Sequence, residues 1–192
     1  MTVLIPFAGL SPVPWKNGGG STTQIAIEPP DAGFDDFDWR ISLATIADDG
    51  PFSMFGGVDR TLALLEGHGM TLDIDGENRV LQCDDEPVVS FPGEARVQAK
   101  LNRGPTTDFN VMTRRARCRH QFGSRRLVGD SEFVPGGDIS VLFLADGDSL
   151  AVASDAERIG MVRYDAVVFD RSAVWTLEAG QGLVYIIDIF YD

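Results

Sequence analysis

The sequence predicts an almost wholly β chain in which one barrel plan is used twice. Three observations carry that reading. Apolar residues recur at every second position in short runs, the period of a half-buried strand. No window offers a long amphipathic helix. An ordered series of hairpin, turn, strand, acidic turn and apolar strand returns after about 80 residues.

The clearest alternation is Trp39, Ile41 and Leu43 against Arg40, Ser42 and Ala44. Further strand-like runs are Thr22 to Glu28, Thr61 to Leu65, Met70 to Asp75, Pro87 to Phe91, Arg96 to Leu101 and Asp108 to Met112 in the first half. The second half offers Ile139 to Leu144, Leu150 to Ala153, Ala166 to Asp170 and Leu183 to Phe190. Turn-forming clusters separate them, notably Asp48-Asp49-Gly50-Pro51, Asp75-Gly76 and Pro135-Gly136-Gly137-Asp138.

The repeat pairs Leu64-Leu65-Glu66-Gly67 and Thr71-Leu72-Asp73-Ile74 with Phe143-Leu144-Ala145-Asp146-Gly147 and Ser149-Leu150-Ala151-Val152. Asp85-Glu86-Pro87-Val88-Val89-Ser90-Phe91 then finds its counterpart in Tyr164-Asp165-Ala166-Val167-Val168-Phe169-Asp170. This element order is that of small jelly-roll barrels of the cupin type. The expected architecture is therefore a duplicated barrel, with residues 1–115 forming the first copy and 116–192 a smaller second one.

Composition narrows the partners. The net charge is -13 and the pI near 4.4, a balance that repels phosphate backbones and anionic membranes, so neither nucleic acid nor membrane is expected as a partner. Cys83 and Cys118 belong to no C-x-x-C spacing and read as free thiols of a reducing compartment. The apolar start is broken by Pro6 and lacks a basic flank, and no segment has the length and hydropathy of a bilayer span, so a cytoplasmic location is expected.

Three clusters carry unusual chemistry. In Trp15-Lys16-Asn17-Gly18-Gly19-Gly20-Ser21-Thr22-Thr23, glycines permit close approach while Lys16, Asn17 and Thr22 supply donors. It is no phosphate loop of the Walker kind, because Lys16 precedes the glycines and a strand follows them. A plain turn with a solvated Lys16 fits these residues too. In the second cluster, Arg40 and Ser42 share a strand face by parity, upstream of Ser53 and Arg60. If that face lines a barrel lumen it is a carboxylate receptor; if it meets water, Arg40 is a solvated strand residue. In the third, Asp108, Asn110 and Met112 share a face opposite Phe109 and Val111. The basic run from Arg114 to His120, with Arg125 and Arg126, reads as a solvated strand and connector.

Trp15-Lys16-Asn17-Gly18-Gly19-Gly20, Trp39-Arg40-Ile41-Ser42, Asp49-Gly50-Pro51-Phe52-Ser53 with Arg60, and Asp108-Phe109-Asn110-Val111-Met112 together resemble the signature blocks of the HutD/Ves family. The four blocks stand in the expected order within about the first 115 residues, and only their combination is specific. The resemblance implies a bicupin fold and an association with bacterial histidine utilisation, through binding of a small pathway intermediate that moderates output. Gln24 stands where the family more often has Glu, and Gly56 where a Pro usually precedes the Gly.

The residues favour binding over known chemistries. The chain has only two histidines, His68 and His120, and no local set of His, Cys and carboxylate with ligand spacing, so neither a metal nor another cofactor is expected. No Ser-His-Asp arrangement is visible. A small carboxylate metabolite such as N-formylglutamate or urocanate is expected in a first-barrel pocket lined by Lys16, Asn17, Thr22, Arg40, Ser42, Ser53, Arg60 and Asn110. The alternative is a metal-free isomerase or hydrolase using an Asp or Lys16 as acid or base. Self-association into a homodimer is the expected behaviour of an edge-rich duplicated β protein.

Overall fold

A computed structural model describes residues 2–84, 87–169, 173–178 and 181–192. In chain order the first strands are β1 (Thr2–Ile5), β2 (Val13–Pro14), β3 (Gly20–Glu28), β4 (Trp39–Ile46), β5 (Gly50–Pro51), β6 (Val58–Glu66), β7 (Met70–Ile74), β8 (Glu77–Leu81), β9 (Val88–Pro92), β10 (Val97–Leu101) and β11 (Thr106–Arg114). There follow β12 (Cys118–Val128), β13 (Ser131–Phe133), β14 (Ile139–Asp146), β15 (Ser149–Ala153), β16 (Arg158–Val162), β17 (Ala166–Phe169), β18 (Trp175–Glu178) and β19 (Gln181–Tyr191). The 3-10 turn Phe7–Gly9 is the sole helical element among the described residues. None of their helices is long and apolar enough to cross a membrane.

Two compact units result, Ser11–Cys118 and Met1–Leu10 joined with Arg119–Asp192. The first barrel has a six-stranded sheet of order β2-β3-β4-β11-β6-β9 and a four-stranded sheet of order β5-β10-β7-β8; the second has β1-β17-β14-β19-β12 and β13-β18-β15-β16. Adding eight to each label turns β9-β6-β11-β4 into β17-β14-β19-β12, and β5-β10-β7-β8 into β13-β18-β15-β16. The duplication is thus one of topology as well as of sequence.

Irregularities repeat too. Leu65 is the extra residue of a bulge where β6 faces β11, and Ala145 is the extra residue where β14 faces β19. Each bulge ends on a glycine with positive φ, Gly67 at 110° and Gly147 at 113°. A Cβ there would lie 2.8 Å from the Pro105 carbonyl oxygen or 2.9 Å from that of Gln181, which is why both copies keep glycine. Asp85, Glu86 and Asp170, which belong to the sequence echo, lie outside the described residues.

The chain divides differently from the expected 1–115 and 116–192. Residues Met1–Leu10 join the second unit, and the boundary falls after Cys118. The reason is β1, which pairs antiparallel with β17 from Thr2↔Phe169 to Ile5↔Ala166, while Asp165 accepts hydrogen bonds from the Phe7 and Val162 amides. Such pairing across most of the chain leaves no local trace in sequence. Strands β8 and β12 likewise escape an alternation pattern, because β8 is exposed up to Leu81 and β12 carries Arg, His, Gln and Ser along most of its length.

The second barrel is filled with apolar side chains, among them Leu142, Leu144, Val152, Val167, Leu177 and Val184. The first includes an apolar cluster around Leu62, Leu64, Met70, Leu72 and Phe91 and a smaller cluster of Phe37, Val58 and Met112. Its inward face also carries buried Arg40, Ser42, Arg60, Asp108 and Asn110. Buried polar groups inside a barrel need partners, and their arrangement defines the site.

Candidate functional site

The register of the six-stranded sheet builds the site in rows. β11 lies between β4 and β6, so Met112 faces Arg40 and Arg60, Asn110 faces Ser42 and Leu62, and Asp108 faces Ala44 and Leu64. Directly opposed residues share a face. Leu62 and Leu64 pack with Met70, Leu72, Val97 and Ala99 of the other sheet, so this face is the inward one. The parity that groups Arg40 with Ser42, and Asp108 with Asn110, is therefore a lumen face.

Arg60 is 8% exposed and donates twice to one oxygen: Nε and Nη2 lie 3.1 and 2.6 Å from Asn110 Oδ1. Its guanidinium stands over the rings of Phe52 and Phe91, at 4.8 and 5.4 Å from their centroids. Cation–π contacts of a desolvated guanidinium contribute about 2 kcal/mol. Burial pushes its pKa down to about 10, against the attraction of Asp108 and with the repulsion of Arg40, so Arg60 stays charged at neutral pH.

Arg40 is 6% exposed and its Nε donates to Gln24 Oε1 at 3.1 Å, beneath the ring of Phe34 at 5.0 Å. Burial lowers its pKa as well. Gln24 reaches it because β3 bulges at Ile25: Gln24 pairs with Ser42 while Ala26 pairs with Ile41, and Ile27 then returns to face Arg40. Gln24 is thus a neutral partner of Arg40, and among the described residues no carboxylate forms an ion pair with that cation.

Asp108 is fully buried, and among the described residues neither of its carboxylate oxygens nor the hydroxyl of Thr106, next on the same face, makes a hydrogen bond of normal distance and angle, although Thr106 and Arg60 both act on the carboxylate. Burial pushes the Asp108 carboxyl up to about 7, with Arg60 and the Thr106 hydroxyl pulling the other way.

Of the residues expected to line the pocket, Arg40, Ser42, Arg60 and Asn110 come together on neighbouring strands. Lys16 and Asn17 are exposed in the turn before β3, where Asn17 Oδ1 accepts from the Gly19 amide at 3.1 Å. That turn is a packing device: Gly18 has φ 77°, and a Cβ on Gly20 would lie 2.3 Å from the Thr45 carbonyl oxygen. The Thr22 hydroxyl accepts from Trp15 Nε1 at 2.8 Å. Ser53 is exposed and lines a separate cleft of about 340 Å³ with Phe34, Met54, Phe55, Val58 and Arg114. Phe34 is a wall of that cleft and also covers Arg40, so the two features adjoin. Sequence reasoning missed Gln24, whose parity the bulge reverses, and Phe34, Phe52 and Phe91, which lie in other segments. Asp108 was within reach through its parity with Asn110.

The second barrel shows what this fold needs at the same places. Its register sets Val184 at the position of Asp108, Ile186 at that of Asn110 and Leu142 at that of Leu62. Where the first copy has Arg60 and Met112, the second has Ser140 and Asp188, whose side chains hydrogen-bond to each other. The polar lumen is therefore a feature of one copy and not a requirement of the fold.

A metal of the kind some cupin-type barrels hold does not fit these donors. Among the described residues no group of three or more His, Cys, Asp or Glu gathers, His68 sits in an exposed turn and His120 on β12, and the inward rows present two guanidiniums that repel a cation.

Comparison with known proteins agrees with this architecture. An uncharacterized 21.2 kDa protein in the hutC 3' region of Pseudomonas putida is 40% identical over 127 residues, 64% of this chain and 65% of that one. The match thus spans a little under two thirds of the relative's length. The crystal structure of the conserved protein of unknown function PA5104 from Pseudomonas aeruginosa PAO1 superposes with a TM-score of 0.90 at 28% identity, covering 99% of both chains. HutD from Pseudomonas fluorescens SBW25, solved in a formate condition, superposes with a TM-score of 0.84 at 26% identity over 100% of both. The bacterial pirin YhhW from Escherichia coli, in complex with nickel(II), superposes at 0.66 with 12% identity over 98% of both chains, a likeness of fold alone. The family model described as HutD matches residues 8–185, and the chain therefore belongs to the HutD family.

Proposed function

We propose that the first barrel binds a small carboxylate metabolite without a metal, and that this binding senses or buffers an intermediate of histidine degradation such as N-formylglutamate or urocanate. The observation that carries the reading is the pair of buried guanidiniums, Arg40 and Arg60, which face the same lumen and form no ion pair with a carboxylate among the described residues. Two desolvated cations so close are unfavourable until an anion joins them. The link to histidine utilisation rests on the family and on the relative found in the hutC 3' region.

Calorimetry with N-formylglutamate, urocanate and glutamate tests it. Hydrogen bonds to charged groups contribute roughly 1.5–3 kcal/mol, so Arg40→Ala weakens binding about ten- to a hundredfold while the fold persists. Arg40→Lys also fails where the contact is bidentate, because an ammonium has no planar fork. Arg117, which is exposed and paired with Asp38, supplies the control Arg117→Ala. Equal affinities of wild type and Arg40→Ala place the site elsewhere.

One observation favours a second reading. A carboxyl with a pKa of about 7 is suited to general acid–base work, so Asp108 is the residue a metal-free isomerase or hydrolase would use. Turnover of urocanate or N-formylglutamate by purified protein, abolished in Asp108→Asn, would establish it in place of simple binding.

A further inference from the structure

Asp108 is a buried carboxyl that the fold does not need. The equivalent position of the second barrel is Val184, fully buried in an apolar core, so the strand register accommodates valine there without change of topology. In the first barrel the same position holds a carboxyl with both oxygens unpartnered, beside the unpartnered hydroxyl of Thr106. Its opposite neighbours, Ala44 on β4 and Leu64 on β6, have no side-chain donor to offer. Arg60 and Thr106 act on this carboxylate without completing its hydrogen bonds. A buried carboxyl whose oxygens accept no hydrogen bond is destabilising, and its presence where the other copy has valine points to a donor that comes from outside the chain.

The position relative to the cations narrows that partner. Arg60 pairs across the sheet with Met112, but its guanidinium is drawn to the level of Asn110 by the two hydrogen bonds to Oδ1. Asp108 is the next inward residue along β11, and two residues of a strand span roughly 7 Å. The lumen therefore presents cationic donors at one level and an acceptor-rich, unpaired carboxyl with a hydroxyl one step further along the same strand.

We propose that Asp108 and Thr106 form the second pole of the binding site, selecting carboxylates that also carry an N–H or O–H donor several ångströms from the carboxylate. The class is thus a bifunctional metabolite, anion at the Arg40 and Arg60 end and donor at the Asp108 end, and not a simple fatty or dicarboxylic acid. Asn110 separates the poles and fixes their spacing through its hold on Arg60. This inference rests on the carboxylate reading of the same lumen.

The test uses pairs of carboxylates of similar length in which one member carries the N–H donor and the other lacks it. Urocanate, which has a ring N–H, is compared with 3-(2-thienyl)acrylate, which has none, and N-formylglutamate with glutarate. Calorimetry is run on wild type, Asp108→Val, Asp108→Asn and Arg60→Ala. Wild type should favour the donor-bearing member of at least one pair by about tenfold or more, as expected for a hydrogen bond to a charged group. Asp108→Val, whose side chain the second barrel already accepts, should bring the two members of that pair within about threefold, and Asp108→Asn, isosteric and still an acceptor, should give an intermediate preference. Arg60→Ala should weaken both members together. Equal preference in wild type and Asp108→Val, or no preference in wild type, overturns the second pole and leaves the carboxylate reading standing. No binding of any of the four ligands by wild type overturns both.

Discussion

Arg60 gives two of its N–H groups to a single oxygen of Asn110, at 3.1 and 2.6 Å, and among the described residues it forms no ion pair, Asp108 attracting it only from a distance. The amide satisfies the geometry of the cation without neutralising it. An aspartate at position 110 would do both, and the choice of asparagine keeps the charge available.

Two variants at that position should therefore separate stability from affinity. Asn110→Ala leaves a buried guanidinium without its acceptor and should lower unfolding free energy by roughly 2–4 kcal/mol. Asn110→Asp keeps an acceptor and adds a counter-charge, so stability should hold within about 1 kcal/mol while carboxylate affinity falls tenfold or more. Urea denaturation and calorimetry on the two proteins check this; similar affinity in Asn110→Asp and wild type would show that the charge of Arg60 is not used.

Asp108 should make stability depend on pH in a direction opposite to that of ordinary surface carboxylates. Its folded pKa of about 7 lies above the ordinary 3.8, so the folded state holds a proton that the unfolded chain has released. Its contribution is fully present below about pH 3.8 and is lost as pH rises through 7. Asp108→Asn removes this loss, so its advantage over wild type should grow from pH 4 to pH 7 and level off above pH 8, reaching on the order of 4 kcal/mol. A stability difference that stays constant between pH 4.5 and 8 would contradict it.

The glycine run should prove structural at its last position. Gly20→Ala places a Cβ 2.3 Å from the Thr45 carbonyl oxygen and 2.9 Å from the Trp15 ring, and overpacking of this kind costs roughly 1–3 kcal/mol. Gly19→Ala meets only Asn17 side-chain atoms at 3.6 Å and beyond, so it should change stability by no more than about 0.5 kcal/mol. Equal melting temperatures for the two variants would refute the packing role of Gly20.

Chelation should have no effect. The lumen gathers guanidiniums and amides where a metal site needs anionic or imidazole donors, so dialysis against EDTA should leave both the melting temperature and carboxylate affinity unchanged. A stoichiometric transition metal in the purified protein, lost on chelation together with stability, would overturn this.

The sequence by itself determined the strand-rich fold, the duplication and the company of Arg40 with Ser42 and of Asp108 with Asn110. Each follows from local rules: period-two alternation, turn chemistry and side-chain parity act within a few residues. The blocks around Trp15, Trp39, Asp49 and Asp108 were likewise enough to point to the family. What the sequence left open was which way the polar face of β4 turns. A face of Arg40, Ser42 and Ala44 is equally consistent with water and with a lumen, and only the rows made with β11 and β6, closed over by Leu62 and Leu64 against the second sheet, put it inside. The same holds for Lys16, Asn17 and Ser53, whose donors look inviting in sequence but stand exposed in turns and loops. Register, bulges and the pairing of β1 with β17 are contacts between residues far apart in the chain, and a rule that reads neighbours has no access to them. For that reason the tertiary structure alone decided that Gln24 partners Arg40, that Asn110 holds Arg60, and that Asp108 is left buried with no hydrogen-bond partner among the described residues.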